Sequence, residues 1–134
     1  MREIKFRAWD KKHNHFFKVK EFGNDGSNYW ASSKRGGYRH WNPIFVQYTG
    51  LKDKNGQEIY EGDIVIEADL ISVCCFIEEV AAFAFIPREI YPDTRWKAIF
   101  EDHGIDTFFR NDIPSKYVKV IGNIYEDPEL LESK

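Results

Sequence analysis

The chain has 134 residues, the size of one ordinary domain, and 43% of them are hydrophobic, enough for a core. Its 19 basic and 22 acidic residues give a formal charge of -3, which argues against a protein that coats DNA by bulk positive charge but leaves room for a local basic patch. Aromatic residues reach 16%, a balance that suits half-buried pleated surfaces and leans towards strands.

The opening MREIKFRAWDKK is charged at once and carries no apolar core of a signal peptide. No apolar run approaches the ~20 residues of a membrane helix, so the expectation is a cytoplasmic chain with no membrane segment. EIKFRAWD alternates, with Ile4, Phe6 and Ala8 on one face and Lys5, Arg7 and Trp9 on the other, as a half-buried strand would. DKKHN reads as a turn and HFFKVKEF as the returning strand of an N-terminal hairpin, followed by loop chemistry in FGNDGSN. YWASSKRGGYRHWNP has room for a short hairpin turning at Gly36-Gly37, and IFVQYT is a strand.

In YTGLKDKNGQEIYEGD, residues 48 to 63, Asn55-Gly56 is the pair a two-residue hairpin turn prefers, with positive φ at both positions. DIVIEA follows as a strand. The most apolar stretch, LISVCCFIEEVAAFAFIP, reads as two core strands turning at Glu78-Glu79, with a helix over EEVAAFAF as the alternative. PREIYPDT is a loop, and RWKAIFE and KYVKVIGNIYE are strands. Near the end, Asp127 as cap, Pro128 at the first helical position and Glu129 beside the positive helix end predict a short C-terminal helix. Many short strands joined by short loops predict one mainly β domain over 1–134, closed as a small barrel, with no repeat or linker dividing it.

MREIKFRAWD at the start, QYTGLKDKNGQEIYEGDIV in the middle and VIGNIYEDPELL at the end together resemble the YopX-like family of phage and prophage proteins. The likeness covers both ends and the middle of the chain in the family's order. It implies a β-rich fold with an SH3-like barrel and a prophage or mobile-element origin. It implies no activity and assigns no catalytic residue.

Each candidate site has a plainer reading beside it. Residues 48–63 lack the G-x-x-x-x-G-K-[ST] of a phosphate loop, and Asp53, Asn55 and Glu58 lack the closing glutamate of a calcium loop, so the stretch reads as architecture. His13, His15 and Asp10 have the composition of a two-histidine, one-carboxylate metal site, but an exposed hairpin turn explains them as well. Glu101, Asp102, His103, Asp106 and Asp112 are the kind of residue a magnesium-dependent nuclease would use; a solvated polar loop is the simpler account. Cys74 and Cys75 would point to opposite faces of a strand, and their apolar setting makes them inert, reduced thiols rather than nucleophiles.

Residues 28–43 are the most suggestive. Lys34, Arg35 and Arg39 are interleaved with Tyr29, Trp30, Tyr38 and Trp41, and the segment contains no acid. Trp30, Lys34, Arg35, Arg39 and Trp41 are therefore the candidate contacts for a protein partner, a second copy of the chain, or unpaired bases on which the rings would stack. A cross-strand aromatic cluster with its cations in solvent accounts for the same residues. Taken together, the sequence predicts a non-enzymatic phage-type accessory protein that binds or self-associates, without cofactor or metal. A single-stranded nucleic-acid-binding barrel is the first alternative and a small metal-dependent hydrolase the second.

Overall fold

The computed structural model describes residues 5–95 and 116–132, which divide into two compact units, Met1–Tyr48 and Thr49–Lys134. The chain is mainly β. In the first unit β1 (Phe6–Asp10) and β2 (His15–Lys18) form the expected N-terminal hairpin, in register from Arg7 opposite Lys18 to Asp10 opposite His15. On its other side β1 pairs antiparallel with β6 (Ile44–Lys52), Trp9 lying opposite Ile44. Ala8 and Trp9 are both buried, so the end of β1 is covered on both faces rather than half-buried.

The returning strand does not run on through Val19 as far as Phe22. Lys20 donates its N–H to the Ser32 carbonyl instead, and the chain enters a second sheet. There β3 (Glu21–Asn24), β4 (Tyr29–Ser32) and β5 (His40–Trp41) pair antiparallel in the order β3-β4-β5. The start of FGNDGSN is thus strand, and only Asp25–Asn28 turn, with the Asp25 carboxylate accepting N–H groups from Ser27 and Asn28. The second hairpin turns where Gly36 takes a positive φ of 69°, as Gly36-Gly37 suggested. Phe22 meets Phe6 edge-on at 5.1 Å between ring centroids, and this contact joins the two sheets of the first unit.

In the second unit the end of β6 is bordered by β7 (Glu58–Tyr60), and the Thr49 hydroxyl donates to the Ile59 carbonyl at 2.8 Å. A four-stranded antiparallel sheet follows, in the order β10-β9-β8-β11: β8 (Asp63–Glu67), β9 (Leu70–Ile77), β10 (Ala82–Pro87) and β11 (Lys119–Asn123). The β9–β10 connection is a single 3-10 turn, Glu78–Val80, closed by Ala81 in the left-handed region. EEVAAFAF is therefore turn and strand, as its β-branched and aromatic content favours, and the helix alternative falls. Ile64, Val73, Cys75, Ile77, Ala84 and Ile86 form one core cluster, and Cys74 joins Ile59 and Phe83 in another. The two cysteines do point to opposite faces of β9, and both faces are buried. The strand expected over RWKAIFE lies, from Trp96 on, outside the described residues.

Two local expectations are corrected. Pro128–Leu131 is a four-residue 3-10 turn, not a helix. The Asp127 side chain makes no cap; it accepts the Asn123 N–H at 3.2 Å instead, and Leu130 and Leu131 are used up in packing against the Ile64 cluster. Nor is Asn55-Gly56 a two-residue turn. Strand ends at Lys52 and resumes at Glu58, and only Gly56 has positive φ, at 81°.

The loop between them is built around Asp53. Its backbone N–H donates to the Gln57 carbonyl, and its Oδ1 accepts the N–H groups of Asn55 and Gln57, each at 2.9 Å. Its Oδ2 accepts the Val120 N–H of β11, also at 2.9 Å. Asp53 is 2% exposed. Truncating it strands three buried or half-buried donors, and each such loss costs on the order of 1–3 kcal/mol. Asp53→Ala should therefore destabilise the protein by about 3 kcal/mol. A Cβ at Gly56 would meet nothing within 4 Å, so Gly56→Val carries only the backbone cost of a left-handed β-branched residue, about 1–2 kcal/mol. Urea unfolding of the two variants beside the wild type measures both, and an Asp53→Ala midpoint equal to wild type would contradict this account.

Candidate functional site

The polar centre of the first unit is a carboxylate with two imidazoles on it. Asp10 ends β1, and its Oδ1 accepts the N–H groups of Lys12 at 2.9 Å and His13 at 3.2 Å, the local side-chain turn that Asp favours. Asn14 takes positive φ and donates its N–H to the Asp10 carbonyl, so the chain returns into β2. This turn places the His13 ring over its own anchor, with Nδ1 2.8 Å from Asp10 Oδ2. The second ring arrives from thirty residues away: His40, on β5, puts its Nδ1 2.7 Å from the same Oδ2.

Neighbouring rings hold His40 in place. Phe17 stacks on it with centroids 4.2 Å apart, and Tyr38 meets it edge-on at 4.9 Å. His15, opposite Asp10 across the hairpin, lies 6.1 Å from both the His13 and the His40 rings. Asp10 is 7% exposed. Burial pushes its carboxyl up, but the hydrogen bonds from the His13 and His40 rings and from the His13 and Lys12 backbone outweigh that and hold it well below the usual carboxylate range. The carboxylate is ionised, so each Nδ1–H donates to it. Asp10, His13 and His40 offer one oxygen and two nitrogens, all within 4.8 Å of one another.

The five candidate contact residues of segment 28–43 are divided by the structure. Trp30 and Trp41 are cross-strand partners on one face of the β3-β4-β5 sheet, but Trp30 is 8% exposed and Trp41 47%. Arg39 places its guanidinium 4.0 Å from the Trp30 ring centroid, a cation–π contact that occupies the indole face a base would need. Gly23 makes the burial possible, because a Cβ there would come within 2.8 Å of the Trp30 indole. Lys34 and Arg35 stand exposed in the turn before β5. On the opposite face, with His40, lie Phe22 and Tyr29, both 58% exposed, and Tyr38, 68% exposed, is on that side too.

In the second unit a cavity of about 200 Å³ is lined by Glu61, Val73, Cys75, Tyr91, Ile124 and Tyr125 among others. Burial, with the Glu61 charge second, pushes the Cys75 thiol up to about 12. Burial likewise raises Cys74 well above the usual thiol range, with the Asp63 charge adding to it. Both thiols are unpaired and in the protonated, unreactive form. Asp53 is spent on backbone N–H groups and Glu58 accepts the Tyr60 hydroxyl, so the calcium-like set of the central stretch is not gathered. The acidic cluster from Glu101 to Asp112 lies outside the described residues. His40 is the site residue that the sequence reading missed. Its pairing with Asp10 depends on β5 crossing back, and the only hint in the sequence was a histidine between two ring-bearing neighbours, Tyr38 and Trp41.

A mainly β protein with buried strand-end carboxylates and no helix long and apolar enough to cross a membrane among its described residues is the class that the structure defines. Residues 5–132 match the family described as "YopX protein", and the chain belongs to that family. It is similar to the crystal structure of protein EF1440 from Enterococcus faecalis, at 25% identity and a TM-score of 0.49 over 98% of this chain and 100% of that one. No curated protein matches it.

The depressed pKa of Asp10 has a sign. A carboxyl that is more acidic folded than unfolded stabilises the fold fully above its unfolded pKa of ~3.9 and ceases to do so as pH falls towards its folded pKa. Asp10→Ala should therefore cost about 2–3 kcal/mol at pH 7, since it strands the ring and backbone donors of Lys12, His13 and His40. The gap to wild type should narrow below about pH 4. Urea midpoints of both proteins at pH 7 and pH 3 check this; a gap that is constant with pH would contradict it.

Proposed function

We propose that the chain is a non-enzymatic accessory protein of the phage and prophage type that works by binding, and that its first partner is a second copy of itself. The observation that carries the reading is the exposure of Phe22 and Tyr29 on one face and Trp41 on the other face of one small three-stranded sheet, with exposed Tyr38 just before β5. Rings of this size in solvent are what interface anchors look like before they are covered. Charge favours a second copy as the cover. Segment 28–43 carries Lys34, Arg35 and Arg39 and no acid; removing these three from the 19 basic residues leaves 16 against 22 acidic ones in the rest of the chain. A basic, aromatic strip on one copy complements the acidic remainder of another, in a head-to-tail contact.

The SH3-like barrel, the action of 1–134 as one module and a cytoplasmic setting belong to the same reading; the family likeness supports the first. Single-stranded nucleic acid is the less favoured partner, because Arg39 already occupies the face of Trp30. Sedimentation from low to high micromolar concentration tests the proposal. Wild type should show a concentration-dependent oligomer, and Tyr38→Ser combined with Trp41→Ser, both on exposed positions, should shift it to monomer without unfolding it. A clean wild-type monomer at high micromolar concentration would overturn the reading.

A further inference from the structure

We infer that Asp10, His13 and His40 form a binding site for a borderline divalent transition-metal cation of the zinc or cobalt class. The inference does not rest on the self-association reading, although Tyr38 both belongs to that surface and packs on the His40 ring. Two imidazoles and one carboxylate are the donor set such ions take, and Asp10, His13 and His40 each already bring one donor atom within 4.8 Å of the others, with both Nδ1 atoms on Asp10 Oδ2. A calcium- or magnesium-class ion is disfavoured, since two of the three donors are nitrogen.

The arrangement is organised beyond what a solvated turn requires. Oδ1 of Asp10 is occupied by the backbone N–H groups of Lys12 and His13, which leaves Oδ2 aimed at the rings. Those bonds give the ligating carboxylate the outer support that metal sites show. His40 is clamped between Phe17 and Tyr38, and His13 is 51% exposed, so an ion has a way in past its ring. Metal–donor bonds of ~2.0–2.2 Å at tetrahedral angles hold donors about 3.3–3.5 Å apart. The present separations of 2.7 and 2.8 Å therefore open by about half an ångström or more on loading; rotation of the exposed His13 ring supplies this on the His13 side, and the opening from the clamped His40 falls to the Asp10 side chain. To ligate through Nδ1, a neutral ring gives up its Nδ1–H bond to Asp10 and moves that proton to Nε2, so the switch of tautomer releases no net proton. Three donors leave a fourth position for water, beside the exposed His15 ring.

The test is a titration of tag-free protein with cobalt(II) chloride, read by visible absorption, followed by displacement with zinc chloride. Saturation at one equivalent per chain is expected, together with a rise in thermal midpoint on zinc addition. His13→Ala and His40→Ala should each weaken binding roughly tenfold or more, since even supporting residues around a metal are worth 10–100-fold. If His40→Ala loses its fold by circular dichroism, His13→Ala decides alone, because that ring stands half in solvent on a turn. Absence of saturable cobalt or zinc binding by the wild type at micromolar protein would overturn the inference. So would binding in folded His13→Ala that matches wild type; the cluster would then be a purely structural hydrogen-bond network.

Discussion

Backbone N–H groups converging on buried aspartates hold the turns of this protein in place. A carboxylate taken out of water is costly unless hydrogen bonds replace its hydration. At Asp10, Asp53 and Asp63 the replacement comes from the chain at the end or start of a strand. Asp63 accepts the Tyr60 N–H across the turn between β7 and β8 at 2.8 Å, Asp53 gathers its own loop, and Asp10 gathers the first hairpin turn. Each is an all-or-none device. The charge is tolerated only when the turn is formed, and the turn forms because the charge is there to be satisfied.

Asp53 does more than close a loop. One of its oxygens serves neighbours two and four residues away, while the other reaches a strand sixty-seven residues on, at Val120. Lys54 adds a second link to the same region by donating its N–H to the Val118 carbonyl. The central stretch is thus the point at which the late strand β11 is fixed to the middle of the second unit. That accounts for its density of polar residues without any ligand: Asp53 is buried work, and Lys52, Lys54 and Asn55 are the solvated surface of the same loop.

The β class, the N-terminal hairpin, the Gly36-Gly37 hairpin and the opposite-facing cysteines were legible because they rest on period-two alternation and on short-range turn chemistry. Failures came where a residue's partner was far along the chain. Val19 and Lys20 continue a pattern that locally reads as strand, but the Ser32 carbonyl draws Lys20 into another sheet. Asn55-Gly56 signals a two-residue turn, but Asp53 offers a side-chain acceptor that makes a wider loop more stable. Asp127, Pro128 and Glu129 are sound helix-start chemistry, overridden because Asp127 is spent on Asn123 and the leucines on the core. The candidate site followed the same rule: Asp10, His13 and His15 were visible as neighbours, and His40 was hidden by its thirty residues of separation.

Asp10 differs from Asp53 in one respect that bears on function. Both oxygens of Asp53 are committed to backbone N–H groups, which cannot leave without undoing the fold. One oxygen of Asp10 is committed in that way, while the other is held by two side chains that have their own rotamers and a second nitrogen each. Side-chain partners can be exchanged for another ligand at the cost of the bonds they make; backbone partners cannot. The same buried-carboxylate device is therefore pure architecture in the second unit and an addressable polar centre in the first, and what separates them is whether the donors on the second oxygen are part of the chain's path or attached to it.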